Sequence, residues 1–367
     1  DGAIQWKLPA HSALRRIDDL AASDVHPPQI ALAARELVRV GALPDQTQLP
    51  TTVEEGARTF WGVPFVPRGR EHVPASTAEP AISFRDVHVS YRSVKGEPHQ
   101  VFRGLDLDIR RGEKVALVGA NGAGKSTLMK LMCGLLKPQS GEVLLEGVRT
   151  RDLGPDELSG KVSLVYQNPE QMFIKDSIRG DVEFAMRARG VPDAAERAGA
   201  LLERFRLTEL AERDGRLLSG GQMRRASLAV GIALDPPILL LDEPTANLDI
   251  GTRQEITRLV ADLSGVTDTV VIATHDMQLV CQFADRVVVL TDGEVIGDAA
   301  PDEVFMDEDV VARSGIRPPE IFQMGRALDC RAACYTLEEF LGCFPAWVAA
   351  QGAGGEKDKR DEGTDRS

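Results

Sequence analysis

The 367-residue chain has no apolar run approaching the ~18 residues needed to cross a bilayer. Its most hydrophobic stretches, Ile238–Leu241 and Thr269–Ala273, are of strand length. The chain therefore reads as soluble or membrane-peripheral and not as a pore. Positive charge is scarce as well: 43 Lys plus Arg stand against 56 Asp plus Glu, a net charge of −13. A protein that grips nucleic acid through a broad basic surface needs the opposite balance. Cysteines number only five (Cys133, Cys281, Cys330, Cys334 and Cys343), an odd and scattered set that suits a reducing compartment better than a disulfide framework. The last three cluster, but they lack both a fourth ligand and the paired spacing of a thiolate metal site. What is present is ordinary globular usage, 43% apolar and 27% charged, in a chain long enough for two or three domains.

An internal repeat changes how the first 75 residues are read. Shifted by 291 positions, Asp1-Gly2 falls on Asp292-Gly293, Pro27-Pro28 on Pro318-Pro319, Ile30 on Ile321 and Leu37 on Leu328. Asp18, Ala21, Ser23 and Arg35 likewise match Asp309, Ala312, Ser314 and Arg326. With seven extra residues allowed in the first copy, Thr52-Val-Glu-Glu falls on Thr336-Leu-Glu-Glu. Residues 1–75 are accordingly expected to be the tail of a preceding, similar domain; the competing reading is a free-standing helical domain. A proline-rich linker runs to residue 80, and residues 81–313 form the main domain. Residues 314–350 are a C-terminal extension, and 351–367, glycines followed by charges, are expected to be disordered.

From Ala81 the pattern is α/β. Ile82–Tyr91 and Gln100–Ile109 alternate like antiparallel strands, Lys114–Gly119 and Val162–Tyr166 are short apolar strands, and Lys125–Leu136 is helical. Helical character dominates Ser177–Arg189 and Asp193–Phe205 before the buried-type strands Ile238–Leu241 and Thr269–Ala273. Strands alternating with helices imply a mostly parallel sheet covered on both faces.

Gly119-Ala120-Asn121-Gly122-Ala123-Gly124-Lys125-Ser126 fits G-x-x-x-x-G-K-[ST] and lies between a predicted strand and helix. Its backbone N–H groups and the helix N-terminus can cradle phosphate, Lys125 can neutralise the β and γ oxygens, and the Ser126 hydroxyl can ligate Mg²⁺. Asp242 and Glu243 end the apolar run Ile238–Leu241, where ligands sit on parallel sheets. There Asp242 can hold the Mg²⁺ shell and Glu243 can face the water that attacks the γ-phosphate. Leu218-Ser219-Gly220-Gly221-Gln222 opens a second helix suited to an anion. A second phosphate-reading helix has no target in its own domain, and makes sense against ATP held by another copy.

With these motifs in order, residues 81–313 resemble the nucleotide-binding domain of ABC transporters. The resemblance implies a P-loop NTPase fold of ABC type, with a mostly parallel core, an antiparallel β layer and a helical subdomain at about 168–225. It implies that Tyr91 stacks on adenine, that Thr127 joins the phosphate loop, and that Gln167 lies near Mg²⁺ and water. It further implies that Asp249 faces a dimer partner and that His275 contacts the γ-phosphate. Ala123 stands where a serine is common, which removes a hydroxyl but no backbone donor. The segment Gln167-Asn-Pro-Glu-Gln and the tail Gly315-Ile-Arg-Pro-Pro-Glu-Ile further resemble the ATPases of energy-coupling factor importers for vitamins, cobalt or nickel, some of which fuse two ATPases in one chain. The resulting expectation is an ATP- and Mg²⁺-dependent ATPase, peripheral on the cytoplasmic membrane face. Its partners would be a second ATPase domain and integral membrane subunits, with no nucleic acid. A ribosome-associated ATPase and an ATP-dependent dimerising module are the alternatives.

Overall fold

The computed structural model describes residues 4, 6–23, 25–68, 76–91, 99–263, 267–329 and 333–351. The repeat match at Asp1-Gly2, Cys330 and the tail after Gln351 lie outside these residues. The chain divides into two compact units, Val73–Arg317 and a second built from both ends, Asp1–His72 with Pro318–Ser367. The N-terminal segment and the C-terminal extension, far apart in sequence, thus share one unit.

In that second unit the N-terminal segment supplies α1 (Ala10–Leu14), α2 (Ile17–Ala22), α3 (Gln29–Arg39) and α4 (Val53–Thr59). The apolar stripe of α3, Ile30, Ala33, Ala34 and Leu37, is wholly buried. Thr52 caps α4 by accepting from Glu55 N at 3.2 Å, while the Glu55 carboxylate accepts from Thr51 N at 2.8 Å.

The main unit opens with β1 (Pro80–Tyr91), β2 (His99–Arg110) and β3 (Lys114–Val118), then α5 (Lys125–Met132). β4 (Ser140–Leu145), β5 (Val148–Arg149), α6 (Pro155–Ser159) and β6 (Val162–Val165) follow, before a helical segment with α7 (Ile178–Ala188), α8 (Ala194–Arg204) and α9 (Gly220–Ile232). The chain returns through β7 (Ile238–Asp242), α10 (Ile250–Leu263), β8 (Thr269–Ala273), α11 (Met277–Phe283), β9 (Arg286–Thr291) and β10 (Glu294–Ala299) to α12 (Pro301–Met306) and α13 (Glu308–Ser314). Two sheets result. One is antiparallel, in the order β2-β1-β4-β5; the other runs β10-β9-β3-β8-β7-β6 and is parallel except at β10. Every residue of β8 and four of five in β7 are buried, which is why these strands read as unbroken apolar runs.

The expected helix Lys125–Leu136 stops earlier, at Met132. Gly134 adopts the left-handed conformation (φ +70°), and Leu136 N donates back to Lys130 O at 3.0 Å, closing the helix. The β4–β5 and β9–β10 hairpins carry no clean alternation because glycines serve their turns and close contacts. Gly293 (φ +80°) is the sharpest case: a Cβ there would lie 1.7 Å from Val101 O.

The C-terminal extension completes the two-ended unit with α14 (Glu320–Leu328) and α15 (Leu337–Leu341). α3 and α14 each begin directly after a Pro-Pro pair, the repeat partners Pro27-Pro28 and Pro318-Pro319. Thr336 caps α15 as Thr52 caps α4: its hydroxyl accepts from Glu339 N at 3.1 Å, and the Glu339 carboxylate accepts from Tyr335 N at 2.6 Å. α3 packs on α15, α14 packs on α4, and α3 meets α14. That is a two-fold exchange of equivalent helices. Phe60 and its repeat partner Phe344 face one another with ring centroids 5.9 Å apart.

Candidate functional site

The phosphate loop runs from β3 into α5 and is held tight by two glycines. A Cβ on Gly119 would lie 2.2 Å from Leu290 O, and one on Gly124 (φ +105°) would lie 2.9 Å from the Phe102 ring. Gly124 is also the residue from which α5 starts, so the loop delivers the backbone straight to a helix N-terminus. Ala120, Asn121 and Gly122 form the turn, and Ala123 is buried beneath it. Lys125 is buried, its Nζ donating to Gly119 O at 2.6 Å and Ala120 O at 3.3 Å. Burial pulls the Lys125 ammonium down from its usual range, while the charges of Glu243 and Asp242 pull it back up.

Parallel pairing of β3, β8 and β7 brings the second part of the site to the same strand ends. Asp242 is last in β7, level with Ala273 at the end of β8. Burial pushes its carboxyl up; a hydrogen bond from the Ser126 side chain opposes this, Glu243 raises it further, and Lys125 lowers it. The Ser126 hydroxyl and the Asp242 carboxylate therefore meet, a pair of hard oxygen donors of the kind Mg²⁺ prefers. Glu243 is buried and adopts a left-handed backbone (φ +47°), with its N–H donating to Ala273 O at 2.8 Å. His275 Nδ1 lies 2.8 Å from Glu243 Oε2, although the imidazole itself is 70% exposed. The two residues expected to act on the same phosphate are direct neighbours. Tyr91, on the β layer, is 42% exposed and its hydroxyl lies 3.2 Å from Thr127 Oγ1. A face of this ring is thus presented beside the phosphate loop.

The remaining motif residues gather separately. Ser219 and Gln222 form a reciprocal capping box at the start of α9: Gln222 N donates to Ser219 Oγ, and Ser219 N to Gln222 Oε1. Gly220 and Gly221 sit in its first turn, and a Cβ on Gly221 would lie 2.5 Å from Thr252 Cγ2. Asp249 binds Thr252 through both carboxylate oxygens, to the backbone N at 2.9 Å and to Oγ1 at 2.6 Å. These bonds hold its carboxyl below the usual range. Gln167 is exposed. It lines a cavity of about 310 Å³ with Asn168, Gly220, Asn247 and Leu248.

Arg224 lines the same cavity, and sequence reasoning misses it. The residue is 2% exposed, and its guanidinium donates to Tyr166 O at 3.0 Å and Gln167 O at 2.7 Å, tying α9 to the loop after β6. Burial lowers this guanidinium to about 10. One of two adjacent arginines just past a glycine motif, Arg224 beside Arg225, carries no signal of that reach in the sequence.

A buried lysine in a glycine-wrapped strand-to-helix turn, with two acids and a histidine on adjacent strand ends, defines a P-loop ATPase. The sequence model of the ABC transporter family matches residues 102–246. The energy-coupling factor transporter ATP-binding protein EcfA of Methanothermobacter thermautotrophicus is 40% identical over 243 residues, 65% of this chain and 76% of that one. The cobalt import ATP-binding protein CbiO of Rhodobacter capsulatus is 37% identical over 60% of this chain and 80% of that one. An ABC transporter ATP-binding protein of Methanosarcina acetivorans is 31% identical over 83% of this chain, which spans only 51% of that relative. Among solved structures, cbiO1 of Clostridium perfringens superposes with a TM-score of 0.55 at 31% identity, over 66% of this chain and 97% of that one. A dimeric ATP-binding cassette holding ADP and phosphate gives 0.55 at 30% identity, over 60% and 98%. The chain belongs to the ATP-binding proteins of the ABC transporter family and is an ATPase.

Proposed function

We propose that this ATPase powers a membrane importer of the energy-coupling factor type, carrying a vitamin or a cobalt or nickel ion. The observation that carries this reading is the similarity to EcfA and CbiO across the main unit. No helix among the described residues is long and apolar enough to cross a membrane. The chain would then lie on the cytoplasmic face, held by separate membrane subunits. An apolar, half-open cavity of about 430 Å³ beside the Gln167 loop, lined in part by Leu135, Leu158, Tyr166 and Ala185, is suited to receive a segment of such a subunit.

In this reading ATP lies on Gly119–Thr127 with its adenine against Tyr91. Ser126 and Asp242, with Gln167, hold Mg²⁺, which supplies charge neutralisation across the phosphates. Glu243 accepts a proton from the attacking water. Lys125 and His275 steady the charge that develops on the γ-phosphate. The imidazole that now touches Glu243 would turn toward phosphate, an exchange its exposure permits.

The signature turn Ser219–Gln222 and Asp249 act on ATP held by another ATPase domain. Residues 1–75 are the tail of such a domain, fused upstream. The exchange of α3 and α4 with α14 and α15 supports this, as does the relative about twice as long as its matched region. Closure of the two domains on ATP, and reopening after hydrolysis, would drive the membrane subunits.

Expressed without membrane subunits, the chain should remain in the supernatant after ultracentrifugation. It should sediment with membranes only when subunits from its native host are co-expressed. Attachment to membranes lacking those subunits that resists both high salt and carbonate would rule out the peripheral assignment.

A further inference from the structure

Among the described residues, two positions of the two-ended unit meet their own repeat partners: Phe60 packs on Phe344, and Gln29 is hydrogen-bonded to Glu320. Gln29 and Glu320 are 291 positions apart, the same offset that aligns the repeat, and Gln29 N donates to Glu320 Oε2 at 2.7 Å. In a two-fold arrangement only residues on the axis can touch their own equivalents. The axis therefore passes between the first residues of α3 and α14, each set directly after its Pro-Pro pair. The two halves differ here in charge: one carries an amide and the other a carboxylate.

We infer that this Gln29–Glu320 pair makes the unit accept two unlike tails and refuse two like ones, so that this C-terminal tail rejects a second copy of itself. The inference rests on reading residues 1–75 as the tail of a preceding copy. Two copies of the 318–350 tail would bring two Glu320 carboxylates together on the axis. Like charges a few ångströms apart in a partly buried site cannot both ionise without cost. In the mixed pair one carboxylate caps the start of α3, and an uncharged amide stands at the other place. Burial already pushes the Glu320 carboxyl up, against the pull of Gln29 N and Ile30 N. Around the axis the surroundings are apolar and near-symmetric (Ile30, Ile321, Phe60 and Phe344) and discriminate little between like and unlike tails.

The full chain allows both refused pairings to be built in cis. Gln29→Glu reproduces the axis of two C-terminal tails, and Glu320→Gln that of two N-terminal ones. All three tryptophans, Trp6, Trp61 and Trp347, lie in the two-ended unit, so intrinsic fluorescence reports its unfolding. An acid in the first turn of a helix is ordinarily neutral or favourable. Gln29→Glu is nevertheless expected to lower the fluorescence-detected Tm by roughly 5 °C or more. Glu320→Gln alone should lower it less, and Gln29→Glu combined with Glu320→Gln should return it to within about 2 °C of the parent. If Gln29→Glu fails to fold, recovery of folding in the double variant stands as the same result. A double variant no more stable than Gln29→Glu overturns the inference.

The repeat reading is tested alongside through its two equivalent caps. Thr52→Ala and Thr336→Ala should cost similar drops of a few degrees. Similar drops without rescue by the charge swap would sink the axis selection and leave the repeat standing. One silent cap and one costly cap would sink the repeat itself.

Discussion

Glu243→Gln should leave ATP binding intact and lower turnover about 10²–10⁴-fold, the range for losing acid–base assistance. Three features of the site single out this position. The carboxylate is buried at the end of β7, next to the Asp242 that meets Ser126, so it faces the phosphate loop and not bulk water. Its backbone is held in the left-handed region with the N–H bound to Ala273 O, which sets the side chain's departure from the strand end. Its Oε2 already meets an imidazole at 2.8 Å, so it has a partner that can change as charge moves. Glutamine keeps the shape and one accepting oxygen but cannot take the proton. Binding measured by equilibrium dialysis should be unchanged within a few-fold, and ATP should hold paired domains together for longer than in the parent. Turnover within a factor of two of the parent would remove Glu243 from this role.

The second large effect is expected from dilution alone. Each ATP is proposed to lie between Gly119–Ser126 of one body and Ser219–Gln222 of another, and this chain carries one such body. Ser219 and Gln222 satisfy one another in a capping box, and Asp249 is satisfied by Thr252, so both motifs are rigid surface features before any partner arrives. Isolated chains must then pair with themselves. Their two-ended unit is already filled by their own N-terminal residues, so self-pairing relies on the ATPase faces alone and should be weak. Below the pairing constant, activity per chain follows concentration by mass action, and a hundredfold dilution should lower it by up to about a hundredfold. Fusing a complete upstream ATPase domain should flatten this dependence. Equal specific activity across the series for the short chain, with light scattering reporting monomer throughout, would overturn the shared site.

Much of the main unit is legible from local chemistry. β7 and β8 are buried on both faces and so must be apolar end to end, and a run such as Ile238–Leu241 announces itself. The phosphate loop is legible because Gly119 and Gly124 sit against Leu290 O and the Phe102 ring, where a side chain has no room; the spacing of the motif is dictated by those contacts. The helix end at Gly134 is less so, because a left-handed terminator and a loop glycine look alike in a sequence.

The repeat was also written in the sequence, as prolines and an Ile matched at 291 positions and, after seven extra residues, the two Thr-x-Glu-Glu segments. Only the tertiary structure shows that the N-terminal and C-terminal segments pack on each other and that the 291-residue offset becomes a physical contact at Gln29 and Glu320. Sequence periodicity encodes which face of a helix is buried, but not which distant helix buries it. The same limit applies to Arg224. Its charge is visible in the chain, while its burial, and its hold on the carbonyls of Tyr166 and Gln167, arise from the way α9 packs beside the loop after β6. The pairing of Glu243 with His275 has the same origin. Thirty-one residues of α10, its flanking loops and β8 intervene, and it is the parallel register of β7 and β8, Asp242 level with Ala273, that brings the two side chains to one point.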